Sequence, residues 1–397
     1  MRGNIFVGNK FVTGEVEYQN GIITDVRELD IKELSEEEAK QYIIPGLVDI
    51  HLHGCMGVDF CDCAEAFDER VEGEGCADDG AGVANGGSAN GGSANTAADD
   101  VIGKMIEYER SVGVTAICPT TMTYDEERLG RIMDKTAEYC TPHLLGVHLE
   151  GPFISLKRCG AQNPEYIMAP DAAMIRRLDA KSGGMVRLVA IAPETDGAIE
   201  CIKDIVGDGS GIHFSVAHTD ADYDKALEAF DAGADHVTHL YNAMPEFSKR
   251  APGVAGAAFD TPSAYVELIC DGNHVHPSMV RATFKMFGAD RVVLISDSME
   301  ATGMPDGEYE LGGQKVIKRG ALATLEDGTL AGSVTNLYDC MKNAVKMGIP
   351  KEEAILAATL NPARSIGMDD RYGRIAVGAK AFLIVCDEEM NIERIIG

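Results

Sequence analysis

Short apolar runs alternate with helix-like segments through most of the chain, and this rhythm constrains the fold more than any other feature of the sequence. Alternating strands and helices of this kind are typical of βαβ units that build a parallel sheet. The sequence predicts eight strands: Leu47–His53, Val114–Thr121, Leu144–Gly151, Val186–Pro193, Ile212–Thr219, Ala234–Asn242, Tyr265–Val275 and Val292–Met299. The predicted helices are Ile102–Val112, Glu126–Tyr139, Asp171–Leu178, Tyr223–Ala232, Pro277–Phe287 and Thr335–Met347. Eight such strands make an α/β fold of the (β/α)8 TIM barrel type the economical architecture, with a doubly wound sheet as the alternative.

Both ends of the chain differ from this middle. Near the N-terminus, the turn signal Asn20-Gly21 separates the strand-like stretches Phe11–Tyr18 and Ile22–Val26, which predicts a hairpin. The last residues carry an apolar run at Ala381–Val385 and a second strand-like stretch at Asn391–Ile396. We therefore expect residues 1–45 plus 370–397 to form a small β-sandwich domain, and residues 46–369 to form the barrel.

Residues 68–98 interrupt the barrel pattern with a near-repeat of glycine, serine, alanine and asparagine. Such a composition offers little apolar area to offset the entropy lost on ordering. The sequence predicts a flexible low-complexity insertion after the first strand, with a role as a lid or partner-binding segment as the alternative.

The charge balance excludes some classes of partner. With 35 basic and 64 acidic residues, the chain has a formal net charge of −29, which argues against binding to nucleic acid or to an anionic membrane because both require clustered positive charge. A small anionic substrate needs only a local positive site. The 11 cysteines include no CxxC pair, and neither a signal peptide nor a run of 18 apolar residues is present, so we expect a cytoplasmic protein.

Ionisable residues recur at the ends of the predicted strands, where the active sites of barrel enzymes lie. His51 and His53, at i and i+2 of the first strand, would point the same way and can reach one ion. The other strand-end residues are His148 and Glu150, His218, His239, Asp271 and His274, and Asp297. Their regular placement predicts a metal-dependent hydrolase site, although each motif alone is weak.

The residue types explain the expected chemistry. Imidazoles and carboxylates suit Zn²⁺ or a similar divalent ion, and three protein ligands leave a position for water. We take Glu150, His218 and His239 as the ligands and Asp297 as the residue that transfers protons, with an N-cap as the alternative for Asp297. His148 is expected to be a packed residue or a donor to a ligand. Three further histidines, for which no placement argues a role, are expected at the surface or in the core: His143, His213 and His236.

Several longer motifs resemble those of the amidohydrolase superfamily and, within it, the N-acetylglucosamine-6-phosphate deacetylase family. The resemblance covers nearly the whole chain outside 68–98, and the conjunction of the motifs is specific. The matching stretches are VHLEGPF at 147–153, THLYNAM at 238–244, DGNH at 271–274, SDSMEATG at 296–303, GTLAGS at 328–333 and NPAR at 361–364.

The resemblance implies removal of acetate from the 2-acetamido group of a 6-phosphorylated amino sugar. It assigns Glu150, His218 and His239 to the metal and Asp297 to base and acid catalysis. The phosphate would be held by His274, Arg250 and the Asn242–Ala243 segment, with Arg250 reaching a neighbouring subunit's site in a homodimer whose site is near the interface. The residues expected to line the sugar are Leu330, Ala331 and Gly332.

The chain departs from the family pattern at one position and leaves a second question open. Ala161 and Gln162 stand where some members carry a histidine that contacts the substrate carbonyl, and Gln162 can donate a hydrogen bond there without a charge. The His51–His53 pair is retained in members that bind two metals and altered in members that bind one. We therefore expect one or two divalent ions per chain, Zn²⁺ or alternatively Fe²⁺, with the second ion bound at His51 and His53.

Other functions remain open at this stage. Related dihydroorotase-like and dipeptidase-like enzymes often bridge two metals with a lysine on the fourth strand, and the predicted strand Val186–Pro193 contains none. A deacetylase that prefers the galactosamine epimer is a closer alternative, and no residue decides against it. A non-catalytic barrel would have lost ligands or Asp297, and all are present.

Overall fold

The structure is a computed structural model that describes residues 1–64 and 100–397. The predicted insertion at 68–98 lies outside the described residues. Among the described residues, no helix is both long enough and apolar enough to cross a membrane.

Eight parallel strands pair in sequence order and curve into a nearly closed barrel. The first and last strands meet at their carboxyl ends, where the amide of Asp297 donates to the carbonyl of His51 at 2.9 Å and the amide of His53 donates to that of Ser298 at 2.7 Å. The predicted barrel is thus confirmed. Its strands are Leu47–Leu52, Val114–Thr121, Val147–Leu149, Val186–Ile191, His213–Val216, His236–Val237, Tyr265–Ile269 and Val292–Ile295.

Several strands are shorter than the apolar runs that predict them. The predicted strand Ala234–Asn242 pairs only at His236–Val237, because His239 and Tyr241 adopt positive φ values of 30° and 78° and turn the chain out of the sheet. The apolar run in the sequence extends beyond Val237, the last paired residue, because the residues of these turns are also largely buried.

The helices that cover the barrel begin at predictable signals. Asp100, Asp125, Asp171 and Asp222 each cap a helix with the side chain accepting a backbone N–H. Within residues 1–64 and 100–397, the α-helices are Val101–Ser111, Glu126–Ala137, Ala172–Lys181, Ala198–Gly207, Tyr223–Ala232, Gly253–Asp260, Pro277–Phe287, Leu337–Lys346, Lys351–Ala358 and Leu360–Ser365.

Four of these helices have no counterpart in the sequence prediction. Gly253–Asp260 illustrates the reason, since six of its eight residues are buried and it therefore lacks the polar face that makes a helix recognisable. Lys351–Ala358 is likewise buried over five of its residues. The remaining two are Ala198–Gly207 and Leu360–Ser365.

The two ends of the chain build one shared sheet, as predicted. Its six strands are mostly antiparallel, in the order 392–396, 383–386, 42–45, 2–7, 10–19 and 22–28. The described terminal residues thus form a continuous sheet separate from the barrel, and an antiparallel bridge between Ile22 and Lys380 closes it back toward its other edge. The strands are Arg2–Val7, Lys10–Gln19, Ile22–Glu28, Tyr42–Pro45, Leu383–Cys386 and Ile392–Ile396. The domain limits at 45/46 and 369/370 stay a prediction.

A three-stranded antiparallel sheet follows the eighth barrel strand and was not predicted. It consists of Gly307–Leu311, Gln314–Arg319 and Leu322–Thr324. Ala331, which comes after it, donates its amide to Ala323 at 3.1 Å. The sheet therefore anchors the segment around residues 330–332 over the carboxyl end of the barrel.

Gly46 joins the terminal sheet to the first barrel strand and packs closely against Thr115 of the second barrel strand. A Cβ atom at this position would overlap the side chain of the buried Thr115, whose branched side chain has few alternative rotamers. We predict that Gly46→Ala lowers the free energy of unfolding by about 1–3 kcal/mol, measured by denaturant unfolding. Gly207→Ala is the control, since nothing lies within 4 Å of its added methyl group. Equal stability of the two variants would contradict the tight packing at Gly46.

Candidate metal centre and active site

Glu150, His218 and His239 come together where the third, fifth and sixth barrel strands end. One carboxylate oxygen of Glu150 lies 3.1 Å from Nε2 of His218 and 3.0 Å from Nε2 of His239. The two Nε2 atoms are 3.1 Å apart, and all three side chains are buried. Two imidazole nitrogens directed at one carboxylate oxygen need a cation between them, either a proton or a metal ion, because bare lone pairs repel at this distance.

His51, His53 and Asp297 form a second group beside the first. Nε2 of His51 and His53 lie 3.6 Å and 3.4 Å from Oδ1 of Asp297. Glu150 belongs to both groups, because its Oε2 is 3.1 Å from Nε2 of His53 while its Oε1 faces His218 and His239. The arrangement therefore offers one carboxylate shared between two sets of ligands.

In three of these four histidines, the far ring nitrogen is held by a fixed acceptor. Nδ1 of His51 lies 2.9 Å from a carboxylate oxygen of the buried Glu267. Nδ1 of His53 is 3.2 Å from the carbonyl of Thr120, and Nδ1 of His218 is 2.9 Å from the carbonyl of Arg158. A hydrogen bond at Nδ1 places the proton there and leaves the lone pair of Nε2 for a metal.

Left-handed backbone aims three of the functional side chains inward. His218, His239 and Asp297 have φ values of 41°, 30° and 49°, a region that residues other than glycine rarely occupy. Such backbone strain persists only when the surroundings fix it, and it is concentrated at functional sites. Here it turns each chain sharply at the end of its strand.

The electrostatics of the cluster favour a bound cation. Burial raises the pKa of Glu150, but the neighbouring His51 and the hydrogen bonds of His218 and His239 outweigh it and hold the pKa well below its usual value. Burial lowers the pKa of His53, but hydrogen bonds with Asp297 and Glu150 raise it to about 9. The ionised carboxylates that raise the pKa of His53 also attract a divalent ion. The donor set therefore fits a metal.

A cavity of about 390 Å³ opens onto this cluster, large enough for a small ligand. It contains most of the residues that the sequence assigned to the substrate. Those lining it are Ala161, Gln162, Asn242, Ala243, His274, Leu330 and Gly332, together with His53, Glu150, His218, His239 and Asp297.

Two predicted substrate residues do not line the cavity. Ala331 is fully buried behind Leu330 and Gly332. Arg250 is exposed and borders a separate surface cavity with Asp220 and Tyr223. Within one chain, Arg250 is therefore not part of the active-site wall.

Gln162 is only 3% exposed, and both ends of its amide have partners. Its Oε1 accepts from the amide of Thr123 at 2.7 Å, and its Nε2 donates to Oε2 of Glu150 at 2.9 Å. The side chain thus orients the carboxylate that the two ligand groups share.

Sequence reasoning missed several groups that the fold brings to the site. Lys157 and Arg158 line the cavity, and both also contact Asp220, at 3.2 Å and 2.9 Å. Glu267 was also missed, although it is the one acidic residue in the strand Tyr265–Ile269, and a carboxylate within an apolar strand is a usable signal.

His148 lies beside His51, with ring centroids 4.7 Å apart. Burial lowers its pKa well below the usual value, so the ring is neutral. Neither ring nitrogen has a hydrogen-bond partner among the described residues. Its expected role as a packed residue stays a prediction.

Comparison with known proteins identifies the family. The amidohydrolase family model matches residues 42–396. The chain belongs to this family. The N-acetylglucosamine-6-phosphate deacetylase of Bacillus subtilis (strain 168) is 33% identical over 392 residues, which cover 96% of this chain and 90% of that protein. The N-acetylgalactosamine-6-phosphate deacetylase of Escherichia coli O157:H7 is 30% identical, with 96% and 92% coverage.

The structure is also similar to solved structures. An N-acetyl-D-glucosamine-6-phosphate deacetylase variant from Mycobacterium smegmatis, in complex with N-acetyl-D-glucosamine-6-phosphate, superposes with a TM-score of 0.85 at 30% identity, covering 100% of this chain and 96% of that one. A Xaa-Pro dipeptidase reaches a TM-score of 0.55 at 12% identity and shares the fold alone. The resemblance inferred from the motifs is confirmed.

The contacts of Gln162 predict an effect on metal retention. Gln162→Leu removes the donor to Glu150 while preserving most of the side-chain volume, so we expect metal affinity to fall by about 10–100-fold, measured by competition with a chelator. Gln314→Leu is the control, because Gln314 donates to the carbonyl of Ala161 in the same loop and is not among the groups that contact Glu150. Unchanged affinity in Gln162→Leu would remove Gln162 from the support of the metal centre.

Proposed function

We propose that this amidohydrolase hydrolyses the acetamido group of N-acetyl-D-glucosamine 6-phosphate to D-glucosamine 6-phosphate and acetate. The observation that carries the proposal is the placement of Asp297 beside Glu150, His218 and His239 on one cavity of about 390 Å³. Related proteins of this name support the substrate. The direct test is acetate release from this sugar phosphate by metal-loaded protein, and its failure with metal bound would reject the proposal.

The metal that this family requires would be held by Glu150, His218 and His239, and a second ion by His51 and His53 with Glu150 shared. The mixed imidazole and carboxylate donors suit Zn²⁺, with Fe²⁺ as the alternative. When bound, such an ion supplies a Lewis acid that polarises the amide carbonyl and acidifies water.

Asp297 is the proposed proton carrier. Burial raises its pKa, but His51 and His53 outweigh this and hold the pKa below its usual value, so the group is a carboxylate at neutral pH. It accepts a proton from the attacking water and delivers that proton to the nitrogen of the leaving amine. Its position 3.4 Å from His53 leaves its carboxylate beside the cavity rather than at a helix N-cap.

His274 is the proposed cation for the phosphate within the cavity. Burial lowers its pKa, but the hydrogen bond to Asp271 at 2.9 Å raises it above the usual value, which favours the charged ring. The Asn242–Ala243 segment supplies polar groups beside it, and Leu330 with Gly332 faces the sugar. Gln162 would direct its amide N–H groups at both Glu150 and the substrate carbonyl.

We further propose that two chains associate so that Arg250 of one reaches the cavity of the other. The exposure of Arg250 outside its own cavity supports this arrangement. The guanidinium of Arg250 would add a second cation to His274 and help to neutralise a phosphate dianion inside a protein of net charge −29. The ten described cysteines are free, in accord with a reducing compartment, and we propose the cytoplasm.

The galactosamine epimer is the second candidate substrate, favoured by the 30% identity to the Escherichia coli O157:H7 protein. Comparison of kcat/KM for the two epimeric sugar phosphates decides between them. A higher value for the galactosamine epimer would replace the first proposal while leaving the reaction type unchanged.

Asp297→Asn should still bind metal at Glu150, His218 and His239 but release acetate about 100–10,000-fold more slowly, the usual range for loss of general acid–base catalysis. The amide is close in size to the carboxylate but cannot accept the proton. Metal content per chain and kcat are measured together. Turnover within tenfold of the parent enzyme would exclude Asp297 as the proton carrier.

Arg250→Ala should raise KM for the phosphorylated sugar at least tenfold while leaving KM for N-acetyl-D-glucosamine unchanged, because only the phosphate contact is lost. Lys249→Ala is the matched control, since Lys249 is the exposed cation next to it in sequence. An equal rise for both substrates would contradict the phosphate role of Arg250. Sedimentation of each variant checks that the oligomer is retained.

A further inference from the structure

Three potential metal ligands converge at the opposite end of the barrel from the active site. His213 is the first residue of the fifth strand, His236 is the first residue of the sixth, and Asp235 directly precedes it. Their ligand atoms all lie within 4.8 Å of one another. The group lies at the amino ends of these strands, so it is separate from the cavity at their carboxyl ends.

The contacts inside this group are short and share one carboxylate. Nδ1 of His213 lies 2.7 Å from Oδ2 of Asp235, and Nδ1 of His236 lies 2.7 Å from Oδ1. The two rings are edge to face with centroids 5.6 Å apart. Both imidazoles therefore direct the same ring nitrogen at one anionic centre, which is the arrangement that a bound cation would also satisfy.

The three side chains of the group differ in their exposure to solvent. His236 is fully buried, whereas the side chains of His213 and Asp235 are 26% and 29% exposed. One side is thus fixed within the fold while the other is open to solvent, so an ion has an entry path and positions for water ligands.

The charge of the group suits a divalent cation. The carboxylate of Asp235 is the one acidic group of the three and lies within hydrogen-bond distance of both imidazoles. Two neutral imidazoles and one carboxylate form the donor set of a borderline ion such as Zn²⁺, whereas Mg²⁺ and Ca²⁺ prefer all-oxygen sites.

We propose that His213, Asp235 and His236 form an additional metal-binding site, outside the active site, for Zn²⁺ or a similar transition-metal dication. The bound ion would cross-link the amino ends of the fifth and sixth barrel strands. To bind the ion, each imidazole carries its ring proton on Nε2 instead of Nδ1. The ion then takes the place of the two N–H···O contacts, and water completes its coordination on the exposed side.

The position of the site gives the cross-link a consequence for the active site. The fifth strand continues from His213 to the turn at His218, and the sixth from His236 to the turn at His239. At about 3.3 Å per residue of extended chain, His213 and His218 are separated by roughly 16 Å. An ion at the amino ends would brace the two strands that carry the active-site imidazoles, without contacting the substrate.

The test is zinc binding by the metal-loaded protein and its His213→Gln variant, measured by equilibrium dialysis against buffered free zinc. We expect the parent protein to bind one more zinc ion per chain than the variant, and zinc to raise the melting temperature of the parent more than that of the variant. Asp235→Asn, which keeps the side-chain volume, should lose the same ion. Acetate release by both variants checks that each is folded, because neither residue belongs to the catalytic cavity.

His143→Gln is the matched control. His143 is half-buried, with Nδ1 2.7 Å from the carbonyl of Thr115, and it belongs to none of the described clusters that could hold a metal. It should bind as much zinc as the parent protein. Equal zinc stoichiometry and equal zinc-dependent stabilisation in the parent, His213→Gln and Asp235→Asn would overturn the proposal and leave the group as a hydrogen-bonded structural contact.

Discussion

One buried carboxylate, that of Glu150, is the interaction on which the site depends. Its Oε1 faces His218 and His239, and its Oε2 faces His53 and Gln162. A buried carboxylate without compensation would be neutral, because a low-dielectric interior penalises charge. Here the surrounding imidazoles keep it ionised, so the cluster is stable only with cations, as protons or metal ions, between these groups.

The barrel provides the rigidity that this cluster needs. Glu150, His218, His239 and Asp297 each follow a different parallel strand, where the ladder hydrogen bonds stop and the backbone is free to turn. The left-handed backbone at His218, His239 and Asp297 is fixed by the packed strands beneath it. Glu267 connects His51 with His239, because its carboxylate contacts Nδ1 of His51 and accepts from the backbone amide of His239 at 3.2 Å.

The loop that contains Lys157, Arg158 and Gln162 links the metal ligands to the substrate cavity. It contributes a carbonyl to His218 and an amide to Glu150, and it also lines the cavity. Gln162 in this loop provides a neutral donor to the shared carboxylate. Lys157 and Arg158 line the cavity, so positive groups are present there although the net charge of the chain is −29.

Much of the fold and the candidate site could be predicted from the sequence by itself, because both rest on local patterns. Apolar runs of strand length in regular alternation with helices determined the barrel, and the polar residues at the ends of those runs determined which side chains meet.

Only the tertiary structure decided what depends on contacts between distant segments. It placed Arg250 outside its own cavity and joined Gln162 to Glu150. It also brought His213 and Asp235, from neighbouring strands, to 2.7 Å from each other. No sequence pattern encodes such distances, since they follow from how the closed barrel sets one strand against the next.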